Sequence, residues 1–240
     1  MIFIPPIVCT NLFYKIKHMK FSILIPALLS LFSFSACSQG RAKDQNKQGN
    51  PSQHVGGPCE GCEAIYECPV AFERLNETDT LPDFNDAGPK IEISGIIYHA
   101  DGKTPAAGVV LYIYHTDQKG IYAKKGDETG WARRHGYIRG WVKTNTRGEY
   151  RFYTLVPASY PNSNNPKHIH PVIKEQDKNE YWIDEFVFAN DPLLPEKERN
   201  RKNPVGGNGV LQTSLKDGML KATRNIILGL NVANYVTTKN

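Results

Sequence analysis

From Ile91 onward the chain is written in short β-type runs separated by turn residues, and this punctuation restricts its fold more than any other feature. The runs are Ile91-Glu-Ile-Ser-Gly-Ile-Ile-Tyr98, Val109 to Tyr114, Tyr137 to Thr144, Glu149 to Thr154, His168 to Lys174, Tyr181 to Ala189, Val210 to Leu215 and Met219 to Leu230. Turn formers such as Asp101-Gly102 and Thr146-Arg-Gly148 stand between them. Stretches of Val, Ile, Tyr and Phe this short cannot make helices of useful length but do make strands. The spacing predicts an all-β domain, an antiparallel β-sandwich, over residues 91–235. Only Pro192 to Lys202, proline-flanked and charged, is expected to hold a helical turn. With 40% hydrophobic and 22% charged residues in 240, the chain can fill one core of this size.

The first ninety residues follow other rules. Met19-Lys20 precedes the apolar run Phe21 to Ala36, which has the basic start, greasy middle and small-residue end of a secretory signal, so residues 1–36 read as a signal region with Met19 as its natural start. The run closes on Phe34-Ser-Ala-Cys37, which resembles the lipobox of bacterial lipoproteins. Cys37 is therefore expected to carry the lipid and anchor an exported protein to the bacterial cell envelope. Removal of residues 1–36 takes away three lysines and no acid, so the formal charge falls from +5 to +2. No basic stripe with interleaved aromatics remains, and nucleic acid is not an expected partner.

Residues 37–55 are rich in Gln, Asn, Lys and Gly without apolar periodicity and read as a tether. Residues 56–90 form a short irregular cap that contains Cys59, Cys62 and Cys68, with a short helix expected between Ala64 and Leu75. A zinc site would want a fourth neighbouring ligand, which is lacking, whereas an exported chain meets oxidising conditions. One disulfide among the three cysteines is expected, the pair being left open.

The chemistry gathers in Tyr153-Thr-Leu-Val-Pro-Ala-Ser-Tyr160-Pro-Asn-Ser-Asn-Asn-Pro-Lys-His168-Ile-His170. In a strand, His168 and His170 share one face, about 7 Å apart, and can lean onto a common metal. Tyr160, between Pro157 and Pro161, has a preset direction. Tyr122 follows Gly120 where a strand opens into a loop. Phenols ionise near pH ~10, so a tyrosine becomes an anionic ligand at neutral pH only beside a strongly charged hard cation. Two tyrosines with two histidines therefore point to Fe(III) over zinc. His99, His115 and His135 read as polar loop or strand-edge residues; Trp131, Trp141 and Trp182 as core or pocket wall; and residues 123–136 as the pocket lip.

Six stretches in order resemble the intradiol ring-cleavage dioxygenases, the family of protocatechuate 3,4-dioxygenase and catechol 1,2-dioxygenase. They are Ser94 to Pro105, His115-Thr-Asp-Gln-Lys-Gly-Ile-Tyr122, Arg139 to Phe152, Val156-Pro-Ala-Ser-Tyr-Pro161, Pro166-Lys-His-Ile-His170 and Asp184 to Leu193. The resemblance implies a prealbumin-like sandwich whose Tyr122, Tyr160, His168 and His170 hold non-haem Fe(III). It implies an aromatic diol and O2 as substrates, a muconate-type diacid as product, and Tyr160 as the ligand that gives way to the diol. Two positions depart from the family's pattern: Asn165 stands where an arginine is usual, and Glu185 where a glutamine is usual. A stand-in cation is then expected from Arg139, Arg133 or Arg134. The helical N-terminal dimerisation segment of catechol dioxygenases has no counterpart in residues 38–88, so a homo-oligomer would need another surface. Two other readings compete. One is a non-catalytic prealbumin-like binding module on the cell surface; the other is a cupin-like set of His168, His170 and Asp184 or Glu185 for Fe(II) or Mn(II).

Overall fold

The computed structural model describes residues 54–237. The expected signal region, Cys37 and most of the tether lie outside the described residues. In chain order the strands are β1 (Thr78–Thr80), β2 (Lys90–Tyr98), β3 (Val110–His115), β4 (Arg139–Lys143), β5 (Glu149–Leu155), β6 (His168–Lys174), β7 (Tyr181–Trp182), β8 (Phe186–Phe188), β9 (Val210–Leu211), β10 (Ser214–Lys216), β11 (Met219–Thr223) and β12 (Ile226–Ile227). One sheet runs β1-β5-β2-β11-β10, with β12 also on β2; the other runs β4-β3-β6-β8-β9, with β7 also on β6. Two single-turn helices, α1 (Ala132–His135) and α2 (Glu196–Arg199), lie in the connections. The sandwich expected from the sequence is the one observed.

The sheets meet through alternation. Ile91, Ile93 and Ile97 of β2 and Tyr150 and Phe152 of β5 face Leu111 and Ile113 of β3, Ile169 and Ile173 of β6, and Phe186 and Phe188 of β8. The even-numbered residues of β3 point the other way. Val110 and Tyr112 join Trp141 and Val172 in a second apolar cluster with Cys62, Ala64 and Ile65 of the N-terminal segment. That is why β3 is apolar almost throughout: both of its faces are covered. Trp141 Nε1 donates to Ile65 O at 2.9 Å, tying the cap to the sheet.

Several expectations need correction. The central pairings β2–β5, β3–β4 and β3–β6 are antiparallel, but β1–β5, β11–β2, β12–β2 and β8–β9 are parallel, because long connections return the chain to sheet edges in the same direction. β1 lies within the stretch read as irregular cap, so the sheet begins before Ile91. In place of a helix from Ala64 to Leu75 there are two 3-10 turns, Cys62–Glu67 and Phe72–Arg74, parted by Cys68-Pro69, where the proline forbids a helical residue before it. The disulfide joins Cys59 to Cys62, leaving Cys68 as a thiol.

His115 is no edge residue. It is buried, with Nδ1 2.8 Å from Thr116 O and Nε2 2.7 Å from Thr154 Oγ1, an oxygen that lies 2.9 Å from Asp83 Oδ1. Burial pushes the Asp83 carboxyl up and the His115 imidazole down, which disfavours full charge separation across the threonine.

The single run expected over Tyr181 to Ala189 is split into β7 and β8. Opposite the break lies Pro171, whose ring offers no N–H to a ladder in the middle of β6. Ile183 to Glu185 leave the sheet there. Glu185 is thereby brought beside His170.

The cap should be energetically part of the domain. Ile65 is fully buried, so Ile65→Ala is expected to lower unfolding free energy by about 2–4 kcal/mol in urea titration. A loss under about 0.5 kcal/mol would mean that the cap does not fold with the sandwich.

Candidate metal centre

β6 carries His168 and His170 on the face away from the inter-sheet core, since Ile169 between them is buried on the core side. His170 is held in register opposite Tyr114 of β3, and His168 opposite Val187 of β8. Their rings stand nearly perpendicular, with centroids 4.6 Å apart.

The tyrosines arrive on two loops that are fastened together. After β3 the chain turns at Asp117 to Gly120, where Asp117 Oδ1 accepts from the amides of Lys119 and Ile121. Thr116 Oγ1 donates to Ala158 O at 2.7 Å, and Gln118 Nε2 to Val156 O at 2.8 Å. Gly120 has φ 75°, and a Cβ there would lie 1.9 Å from Ser159 O. Only glycine lets the loops touch so closely. Tyr122 and Tyr160 follow immediately on either side of that contact, which brings their hydroxyls to 2.5 Å.

Four donor atoms then converge. Tyr122 Oη is 2.8 Å from His170 Nε2, and Tyr160 Oη is 3.0 Å from His168 Nε2 and 3.3 Å from His170 Nε2. His168 Nδ1 lies 2.7 Å from Pro166 O, a carbonyl that can only accept. The proton of His168 is therefore on Nδ1, and the Nε2 lone pair faces inward. Around one point stand two phenol oxygens and two imidazole nitrogens with two hydroxyl protons among them. Lone pairs outnumber protons, which is the donor chemistry of a cation site.

The electrostatics agree. Burial first, then the hydrogen bond and charge of Tyr160, raise the Tyr122 phenol above the ordinary phenol range, and burial raises Tyr160 too. Burial, reinforced by His168 and His135, lowers His170 to about 3, so its imidazole is neutral at pH 7. Without a cation the phenols stay protonated. A hard trivalent ion supplies the charge that would ionise them, so the residues fit ferric iron.

The structure brings together Tyr122, Tyr160, His168 and His170, and places Glu185 Oε1 3.8 Å from His170 Nδ1. Among the described residues it brings no free arginine to the cluster. Arg139 sits on the same face, opposite Tyr114, but its guanidinium is 2.7 Å from Glu67. Glu67 also accepts from the amides of Trp131 and Ala132 at 2.6 and 3.2 Å, fixing the start of α1. Arg134 pairs with Glu60, and Arg133 is exposed. Asn165 is exposed, and its backbone N–H donates to Ser163 Oγ at 3.0 Å. Asp184, half of the cupin-like alternative, is buried and accepts from Val205 N.

Sequence reasoning missed Tyr114 and misread His135. Tyr114 stacks on His170 with centroids 4.6 Å apart, and on its far side His135 lies parallel at 3.7 Å. His135 is buried, with Nδ1 2.9 Å from Tyr112 Oη. Alternation along β3 could have placed Tyr114 with Tyr112; only the β3–β6 register sets it against a histidine. Beside the centre is a cavity of about 180 Å3 lined by Pro58 to Cys62, Tyr114, His170, Trp182 and Glu185. A larger hollow of about 550 Å3, between His99 and Tyr235, shares no residue with the cluster and carries none of its chemistry.

Comparison with known proteins gives a consistent picture. The chain is 33% identical over 141 residues to catechol 1,2-dioxygenase 1 of Acinetobacter lwoffii, covering 52% of this chain and 43% of that protein. It is 26% identical over 129 residues to the protocatechuate 3,4-dioxygenase beta chain of Burkholderia cepacia, covering 48% and 54%. The chain thus spans about half the length of the curated relatives it matches. Among solved structures, the dioxygenase domain of a dioxygenase and carbohydrate-binding protein fusion from Streptomyces sp. SirexAA-E superposes with TM-score 0.48 at 20% identity, over 64% of this chain and 89% of that one. The profile of a family described as Dioxygenase matches residues 69–201, more than half of the sequence, and the chain belongs to the intradiol ring-cleavage dioxygenase family.

Proposed function

We propose that the protein is a ferric dioxygenase that cleaves a catechol-type aromatic diol between its two hydroxylated carbons, giving a muconate-type diacid. The observation that carries this reading is the convergence of Tyr122, Tyr160, His168 and His170, with Tyr160 Oη 2.5 Å from Tyr122, 3.0 Å from His168 and 3.3 Å from His170, and Tyr122 Oη 2.8 Å from His170. These four residues would hold the iron. Bound there, ferric iron supplies Lewis acidity toward a chelating diol, and two phenolate donors keep it in the ferric state.

The chain's own residues do the rest. His168 is kept in the right tautomer by Pro166 O, and His170 is kept in place by the Tyr114 ring. Tyr160 Oη is the base best placed to take a diol proton and hold it, because its loop, bounded by Pro157 and Pro161, has an anchor at Ala158 that is independent of the contacts of the hydroxyl. Glu185 is a second proton acceptor at the cavity edge. Tyr114 and Trp182 wall the cavity and limit water. Both atoms of O2 enter the product and the diol itself provides the electrons, so no external reductant is required.

The disulfide Cys59–Cys62 suits an oxidising compartment and supports an exported protein with Cys37 as its lipid anchor.

The full chain from iron-replete cells is expected to hold about one iron and to absorb visible light through phenolate-to-iron charge transfer. Tyr122→Phe and Tyr160→Phe should each shift or abolish that band. Each should also lower kcat/KM for catechol by at least about 100-fold in oxygen-uptake assays. A colourless, iron-free wild type, or a band untouched by both substitutions, overturns the assignment. For localisation, Cys37→Ser is expected to move the protein from the membrane to the soluble fraction on cell fractionation, and an unchanged distribution would refute the anchor.

A further inference from the structure

The cavity beside the centre has a charge that the ligand set does not use. Its lining includes two carboxylates, Glu60 and Glu185, and no lysine or arginine. Of the arginines on the surrounding segments, Arg134 pairs with Glu60, Arg139 with Glu67, and Arg201 with Glu198 and Asp184, while Arg133 is exposed and does not line the cavity. Glu185 is different. The one ion pair it makes among the described residues is with the His170 ring at 3.8 Å; Arg201 and Arg224 act on it from beyond ion-pair contact, and its side chain is 46% exposed. A histidine that ligates through Nε2 is a neutral imidazole and leaves that carboxylate's charge in place.

The remaining wall carries the rings of Tyr114, His170 and Trp182 among apolar residues. Trp182 is 37% exposed, and its Nε1 donates to Pro58 O at 3.2 Å, which pins the indole against the disulfide loop. An indole face beside a carboxylate attracts a cation and offers an anion nothing. The loop itself has little freedom: Cys59 and Cys62 are joined, and Gly61 packs on His135 and Trp131 so closely that a Cβ would come within 2.7 Å of His135 Nε2. The cap is thus one wall of the cavity beside the centre.

We infer that this wall selects substrate by charge: the enzyme favours aromatic diols whose ring substituent carries an ammonium group, accepts neutral ones, and discriminates against those bearing a carboxylate. The inference rests on the catechol-cleaving reading above and deepens it. A substituent carboxylate would meet Glu185 with Arg201 and Arg224 acting only from beyond ion-pair contact, whereas an ammonium would gain both the carboxylate and the indole. Because Glu185 is half exposed, solvent and salt screen the effect, and the expected discrimination is modest.

Three diols of similar size separate the possibilities: 3,4-dihydroxybenzylamine, 4-ethylcatechol and 3,4-dihydroxybenzoate. With the full iron-loaded chain, kcat/KM from oxygen uptake is expected to fall in that order, with at least about tenfold between the first and the last. Glu185→Gln should bring the two ends to within about threefold, and Glu60→Gln should narrow the gap less, since its charge is already paired. Calorimetric binding of the same three compounds gives a ranking that does not depend on turnover. Equal or better use of the carboxylate, a ratio unchanged in Glu185→Gln, or binding that does not follow charge overturns the inference. Absence of oxygen uptake with every diol, while binding still follows charge, would sink the dioxygenase reading and leave the selectivity of the wall standing.

Discussion

A slip of one residue in the pairing of β6 with β3 would turn His168 and His170 into the hydrocarbon core and Ile169 out toward Tyr160. Everything at the centre depends on this register, in which Tyr114 lies opposite His170 and Ile113 opposite Pro171. The core enforces it. Ile169 and Ile173 are wholly buried against the other sheet, and a strand whose alternate residues are that apolar has one acceptable orientation. The ligand face is therefore specified by residues that never touch the site. Pro171 adds a second consequence, since the strand beyond it breaks where the proline lies and the break places Glu185 next to His170.

Holding four lone-pair donors together is unfavourable until something positive sits among them. Their rings are partly or largely shielded from water, and burial moves both phenols and His170 toward their uncharged forms. The domain offsets this with rigidity elsewhere: the loop fastenings at Thr116, Gln118 and Gly120, the Pro166 carbonyl on His168, and the ring stack His135, Tyr114, His170. The cluster is thus pre-shaped, and it meets a cation with little rearrangement.

The N-terminal cap contributes to the same end from the outer side of the sheet. Ile65 and Ala64 seal the apolar outer face of β3, Glu67 neutralises Arg139 and starts α1, and α1 in turn supplies the His135 that backs Tyr114. One carboxylate thereby removes a cation from the neighbourhood of the centre and positions a ring for it. With Arg139 so occupied and Asn165 exposed, the adjoining cavity has, among the described residues, no lysine or arginine in its lining, and Glu60 is paired from outside it by Arg134.

Much of this was legible in the amino-acid string. Short apolar runs between turn residues determined a sandwich, and the order of the motifs around Tyr122, Tyr160, His168 and His170 singled out the four residues that converge, because strand alternation and proline-bounded turns act locally. The strand beginning at Thr78, the parallel edge pairings and the split at Ile183 to Glu185 could not be read, since each depends on a partner far away in sequence. The same holds for the burial of His115 and His135, which look like loop residues until other elements cover them. Arg139 shows the limit most plainly: its position in β4 was evident, but its commitment to Glu67, 72 residues earlier, exists only once the cap has folded onto the sheet. Residue type and spacing determine which groups are available for chemistry; packing between distant segments decides which of them are left free to perform it.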